Sequence, residues 1–188
     1  MQRRMGPTTR IALGTAALVA ATAAALAALG RPALCSCGEL ELWGAVGPKQ
    51  SQMLADWYSP SHVIHGLLFY FAGWAMLRRW SLGARFLAAL ALEAAWEIVE
   101  NTPLVIDRYR EATMALGYSG DSIVNSLSDL TMMAAGFVIA RRLPVWASVA
   151  LGIAAELAAL LAVRDNLTLN VWMLIAPSSE ILEWQAGA

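Results

Sequence analysis

The sequence predicts an all-α integral membrane helical bundle, with about five transmembrane helices plus a short C-terminal interfacial helix. Two observations carry this. Only 14% of the 188 residues are charged and 59% are hydrophobic, whereas a soluble domain of this size carries about 25% charged residues. The apolar stretches also run to about 20 residues, the length needed to cross a hydrocarbon core. A single membrane domain over residues 1–188 is expected. The net charge of −1 does not bear on nucleic acid, and without a basic cluster or basic-aromatic interleaving no nucleic-acid partner is expected. The lipid bilayer is the expected surround.

The elements follow in order. Residues 11–30 are uncharged and rich in Ala and Leu, a first span. Arg3 and Arg4 ahead of it also suit a secretory signal, but the apolar run exceeds a usual signal core, so a retained anchor is expected. Residues 31–60 read as an outer loop. The second span, 61–77, opens on His62 and His65. The third, 84–102, holds Glu93, Glu97 and Glu100. The fourth, 122–140, begins polar and finishes apolar. The fifth, 144–163, starts at Pro144, which suits a helix first turn, and holds Glu156. Residues 165–188 read as an interfacial tail: 167–176 is too short to span, and Ile181, Leu182 and Trp184 follow on an amphipathic stretch.

Orientation comes from Lys and Arg placement. With the N-terminus inside, Arg3, Arg4, Arg10, Arg78, Arg79, Arg85, Arg141 and Arg142 fall on short cytoplasmic segments, and none of the 14 acidic residues does. The C-terminus is then periplasmic. At about 1.5 Å per residue, Glu97 lies roughly 20 Å above the inner end of its span, and Asp129 roughly 12 Å below Asp121. Polar groups of four helices thus share the outer half of the bilayer, while the inner halves are nearly all apolar.

Glu93, Glu97 and Glu100 form one stripe of a helix, and Asp121, Asn125, Ser128 and Asp129 another. Carboxylates are costly in hydrocarbon, so both stripes should face the bundle interior. Two chemistries fit. His62, His65, Glu97 and Glu100 have the donor types of a divalent-metal site, which activates water against an ester or phosphoester. A metal-free set, with a carboxylic acid and a histidine base, serves as well. The candidate catalytic residues are Glu97, Glu100, His65 and Asp129. Asp121 and Asn125 are candidate binding residues, joined by Arg108, Arg110 and Arg164, whose charges suit a phosphate or lipid headgroup. The bland reading of the arginines is pairing with Asp107, Glu111 and Asp165; that of the polar cluster is a hydrogen-bond network holding the helices together. Cys35 and Cys37 are the two cysteines, and read as free thiols, a strained pair or an intermolecular link.

Four blocks carry a resemblance: Asp56 to Gly66, Ala95 to Arg110, Gly120 to Asp129, and Arg164 to Leu174. They resemble the signature blocks of an uncharacterised family of bacterial multi-pass inner-membrane proteins, filed as a domain of unknown function. The resemblance implies a bacterial cell-membrane location and no activity. A weaker echo is of the VanZ-like membrane family, in His65, in Glu97 with Glu100, and in Asp121 with Asn125; Glu100 stands where that pattern has Gln, and Asp129 is additional. Two functions are carried forward. One is a hydrolase or transferase on an envelope lipid, with a divalent metal as its possible cofactor. The other is a non-enzymatic accessory or assembly protein whose cluster is structural and whose 31–60 loop meets a membrane-protein partner.

Overall fold

A computed structural model describes residues 6–113 and 117–187; Arg3 and Arg4 lie outside the described residues. Every element is helical: α1 (Pro7–Ala28), α2 (Ser59–Met76), α3 (Leu82–Glu100), α4 (Pro103–Ala112), α5 (Ile123–Arg142), α6 (Val145–Val163), α7 (Leu167–Ile175) and α8 (Ser179–Ala186). No strand occurs among the described residues.

The span count needs correction. Three helices, α1, α5 and α6, are long and apolar enough to cross a membrane, where five were expected. Helices α2 and α3 have the length, at 18 and 19 residues. Their polar residues set them apart: His62 and His65 in α2, and Arg85 with three glutamates in α3. Helix α4 is a further element, lying between the expected spans 84–102 and 122–140. Pro103 opens it, and Ile106, Tyr109 and Ala112 recur at helical spacing as its buried face.

Helices α2 and α5 are the most intimately packed pair. Gly66 of α2 sits against the Met133 carbonyl and the Gly136 backbone, and Gly136 of α5 against the Val63 carbonyl. A Cβ at either position would overlap the partner's main chain. Small residues permit such close helix crossings in apolar surroundings. Around this crossing lies the core, Ala89, Leu90, Ala94, Leu130, Met133 and Phe137, with Leu18 and Val19 of α1 packed on it. Phe137 meets both Tyr70 and Phe86 edge-on, at 5.2 and 5.4 Å.

By contrast α1 and α6 bury little; Leu13, Val149, Ile153, Leu157 and Leu161 are all more than half exposed. Apolar helix faces this exposed call for a nonaqueous neighbour.

The segment read as an outer loop folds back on the bundle. Gln52 donates from Nε2 to the Gly120 carbonyl (2.8 Å), Ser122 Oγ donates to the Gln52 carbonyl (3.0 Å), and Asn125 Nδ2 donates to the Met53 carbonyl (2.9 Å). Met53 is fully buried. Further out, Lys49 pairs with Glu39 and Glu41 at the surface. Of the alternatives for Cys35 and Cys37, the structure has the intramolecular one: they form a disulfide, with Cα atoms 5.1 Å apart.

Candidate functional site

The start of α2, the end of α3, the start of α5 and the start of α7 meet at one end of the bundle, around a cavity of about 160 Å³. Local chemistry sets each element's start. Asp56 accepts from the amides of Tyr58 (2.7 Å) and Ser59 (3.3 Å), fixing the entry to α2. Ser122 caps α5 by accepting from the Asn125 amide (3.2 Å), and Asn166 caps α7 through the Leu169 amide (2.8 Å).

Glu93 lies beneath the cavity with no exposed surface. One of its oxygens is 2.6 Å from His62 Nδ1 and 3.0 Å from His65 Nδ1, so both rings lean on one carboxylate. His62 is also 3.5 Å from Glu97 through Nδ1 and 3.7 Å from Asp129 through Nε2. Thus α2 inserts a histidine among three carboxylates carried by α3 and α5. Buried charges of this kind persist only when paired or ligated.

A second group sits beside the first. Glu100 accepts from Tyr109 (2.8 Å), whose hydroxyl is also 3.0 Å from Asn170 Oδ1. Asp121 accepts from Asn101 Nδ2 (2.7 Å) and Tyr118 (2.9 Å), while its own amide donates to Asn101 Oδ1 (2.7 Å). Burial pushes the Asp121 carboxyl up to about 6, the Asp56 charge adding to the rise. Burial likewise raises Tyr109 and Tyr118, helped by the charges of Glu100 and Asp121 respectively. Across the cavity Tyr58 donates to Asp165 (2.7 Å); burial raises both groups, and the Asp165 charge lifts Tyr58 further.

Of the residues singled out from the sequence, His62, His65, Glu100, Asp121, Asn125 and Asp129 line the cavity. Glu97 is buried just behind that lining, against His62. The three arginines are elsewhere. Arg108 donates to the Leu174 carbonyl (2.9 Å), Arg110 to the Tyr118 carbonyl (2.5 Å) and Arg164 to the Trp184 carbonyl (3.1 Å), with Arg110 also 3.5 Å from Asp107. These contacts hold short helices and loops together and bring no cation to the cavity. Glu156, grouped with the acidic residues by depth, instead accepts from the amides of Leu167 (3.0 Å) and Thr168 (3.1 Å) at the start of α7.

Sequence reasoning missed two things. The pivotal carboxylate is Glu93, visible only as a member of a stripe. The phenols of Tyr58, Tyr109 and Tyr118 reach the cavity from loops and from α4; the helical spacing of Ile106, Tyr109 and Ala112 was the available signal. Three constellations have metal-ligand spacing: His62 with His65 and Glu93; His62 with Glu97 and Asp129; and Glu97 with Glu100 and Asp121.

Comparison with known proteins places the chain. Residues 26–187 match the family described as "Protein of unknown function (DUF2585)". A UPF0314 protein of Sphingopyxis alaskensis is 54% identical over 93% of this chain and 94% of its own length. UPF0314 proteins of Agrobacterium fabrum and Rhizobium meliloti are 51% and 54% identical, each over 85% of this chain and 82% of their own. No solved structure matches, and the echo of VanZ-like proteins gains no support from these findings. The chain belongs to the DUF2585 family.

Proposed function

We propose that this member of the DUF2585 family is a multi-pass protein of the bacterial inner membrane, acting as a hydrolase or transferase on an ester or phosphoester of an envelope lipid. The observation that carries the reading is the hydrogen bond of His65 Nδ1 to the buried Glu93 carboxylate, at 3.0 Å, with the ring lining the cavity. Holding Nδ1 as the donor leaves Nε2 as the proton acceptor, the arrangement of a general base and its orienting carboxylate. His65 takes a proton from water or an acceptor hydroxyl. The resulting oxygen nucleophile attacks the carbonyl carbon or the phosphorus, the ester C–O or P–O bond breaks, and the proton returns from His65 to the leaving oxygen. Glu93 is the positioning residue.

Helices α1, α5 and α6 cross the bilayer in this reading, with α2 and α3 packed among them. Helices α2 and α3 are long enough to span, at about 27 Å for 18 residues, and α1, α5 and α6 surround them. The turn bearing Arg78 and Arg79, and the last residues of α5, Arg141 and Arg142, lie at the end of the helices opposite the cavity, so the cavity opens outward by the positive-inside bias. A 160 Å³ cavity takes a headgroup and not a whole lipid, the chains staying beside α6.

The test uses the purified full chain in mixed micelles with bacterial glycerophospholipids, reading released fatty acid and headgroup by mass spectrometry. Turnover should fall on the order of 10²–10⁴-fold in His65→Gln, the range for loss of a general base. Absence of turnover by the unaltered protein, or equal turnover by the variant, would leave the accessory-protein reading, in which the polar cluster only joins helices.

A further inference from the structure

We infer that His62, Glu97 and Asp129 form a binding site for a single divalent transition-metal ion. The inference uses the cavity proposed above as a reaction site and supplies that site with a cofactor, but its geometry stands independently of turnover.

Three constellations have ligand spacing, and their hydrogen bonds distinguish them. In the group of Glu97, Glu100 and Asp121, two members are already engaged: Glu100 by Tyr109, and both oxygens of Asp121 by Asn101 and Tyr118. In the group of His62, His65 and Glu93, the members satisfy one another. The third differs. Glu97 Oε1 and Asp129 Oδ1 are fully buried and have no hydrogen-bond partner among the described residues. Glu97 is 1% exposed and Asp129 5%. Glu97 Oε1 has only the longer 3.5 Å approach of His62 Nδ1, and two buried carboxylate oxygens without a hydrogen bond beside one imidazole are costly without a cation.

The histidine is prepared to be a ligand. Its Nδ1 is 2.6 Å from Glu93, so Nε2, 3.7 Å from Asp129 Oδ2, is the nitrogen free to coordinate. A buried carboxylate that accepts from one ring nitrogen while the other meets a metal is the usual outer partner of a ligating histidine. One ligand atom from each of His62, Glu97 and Asp129 lies within 4.8 Å of the others. Ligands about 2.1 Å from a tetrahedral ion are spaced about 3.4 Å apart, so modest side-chain movement closes the set. One histidine and two carboxylates suit Mn, Fe or Zn, and the cavity beside Asp129 leaves room for water in an open position.

The test is metal binding by the full chain purified in detergent. After chelation, Mn²⁺ is titrated and the free ion followed by electron paramagnetic resonance, with Zn²⁺ as competitor. The unaltered chain and Glu180→Gln, an exposed position on α8, should each take up about one ion. Glu97→Gln and Asp129→Asn should each bind at least about tenfold more weakly, the scale on which metal sites lose affinity when a supporting group is changed. A second measurement needs only the unaltered chain: saturating ion should raise its thermal midpoint, because a ligand of the folded state stabilises it. No stoichiometric uptake and no thermal rise, or uptake unchanged in both variants, would overturn the site. Uptake without lipid turnover would leave the metal site standing and remove the hydrolase reading.

Discussion

At the scale of single residues, Asp121 shows how burial and hydrogen bonding compete. Desolvation raises its carboxyl from 3.8 to about 6, against the opposing pull of the Asn101 and Tyr118 donors. The folded chain therefore holds this proton more tightly than the unfolded chain. Its contribution to stability is complete below about pH 4 and is lost as pH rises through about 6. Across that window the thermal midpoint of the unaltered protein should fall further than that of Asp121→Asn, which carries no titrating group there. Parallel midpoint curves for the two proteins would contradict this account. His62 and His65 illustrate the other residue-scale lesson. Their spacing on one helix face is plain in the sequence, but their shared carboxylate, Glu93, comes from another helix, and only the fold brings the three within hydrogen-bond reach.

At the scale of elements, the α2–α5 crossing is the joint on which the site depends, since His62 and Asp129 face each other across it. Gly66 and Gly136 allow that approach. Alanine at either position must push the backbones apart, an overpacking cost of about 1–3 kcal/mol. Gly66→Ala and Gly136→Ala should each lower resistance to denaturant in detergent, whereas Gly6→Ala, whose added Cβ would meet nothing within 4 Å, should not. Equal stability of all three variants would mean that the crossing relaxes freely. Glu156 belongs to this scale too: its carboxylate holds two amides at the first turn of α7, the helix that brings Asn170 to Tyr109.

At the scale of the whole molecule, the distribution of apolar surface separates two kinds of helix. Helices α1 and α6 expose most of theirs, while α2 and α3 carry the polar residues and are buried along one side. Topology is tested by thiol labelling in intact cells. After mild reduction of the Cys35–Cys37 disulfide, an impermeant reagent should label the chain from outside. A variant with Cys35 and Cys37 changed to Ser and with Arg79→Cys should stay unlabelled until the membrane is permeabilised. The reverse pattern would turn the cavity toward the cytoplasm and end the outer-leaflet assignment.

The sequence by itself determined the helical class, because apolar runs near membrane length and the 3.6-residue stripes of Glu93, Glu97 and Glu100 are local properties. It also determined which face of α3 and of α5 turns inward, because a carboxylate stripe has one favourable place in an apolar bundle. The number of helices apolar enough to cross was misjudged for a related reason: polar residues of the site interrupt the apolar run of α2, and charged residues, Arg85 and the glutamates, that of α3. What only the tertiary structure decided is partnership. Arg108, Arg110 and Arg164 looked like anion binders by charge, yet each donates to a carbonyl of a residue from 8 to 66 positions away. The 31–60 segment looked like a free loop, yet Gln52 and Met53 are anchored to α5 and its approach. Glu97 and Glu100 share a stripe, but one meets His62 and the other Tyr109. Periodicity fixes the direction of a side chain from its own helix axis, whereas a partner's identity depends on how distant segments pack, which no local pattern encodes.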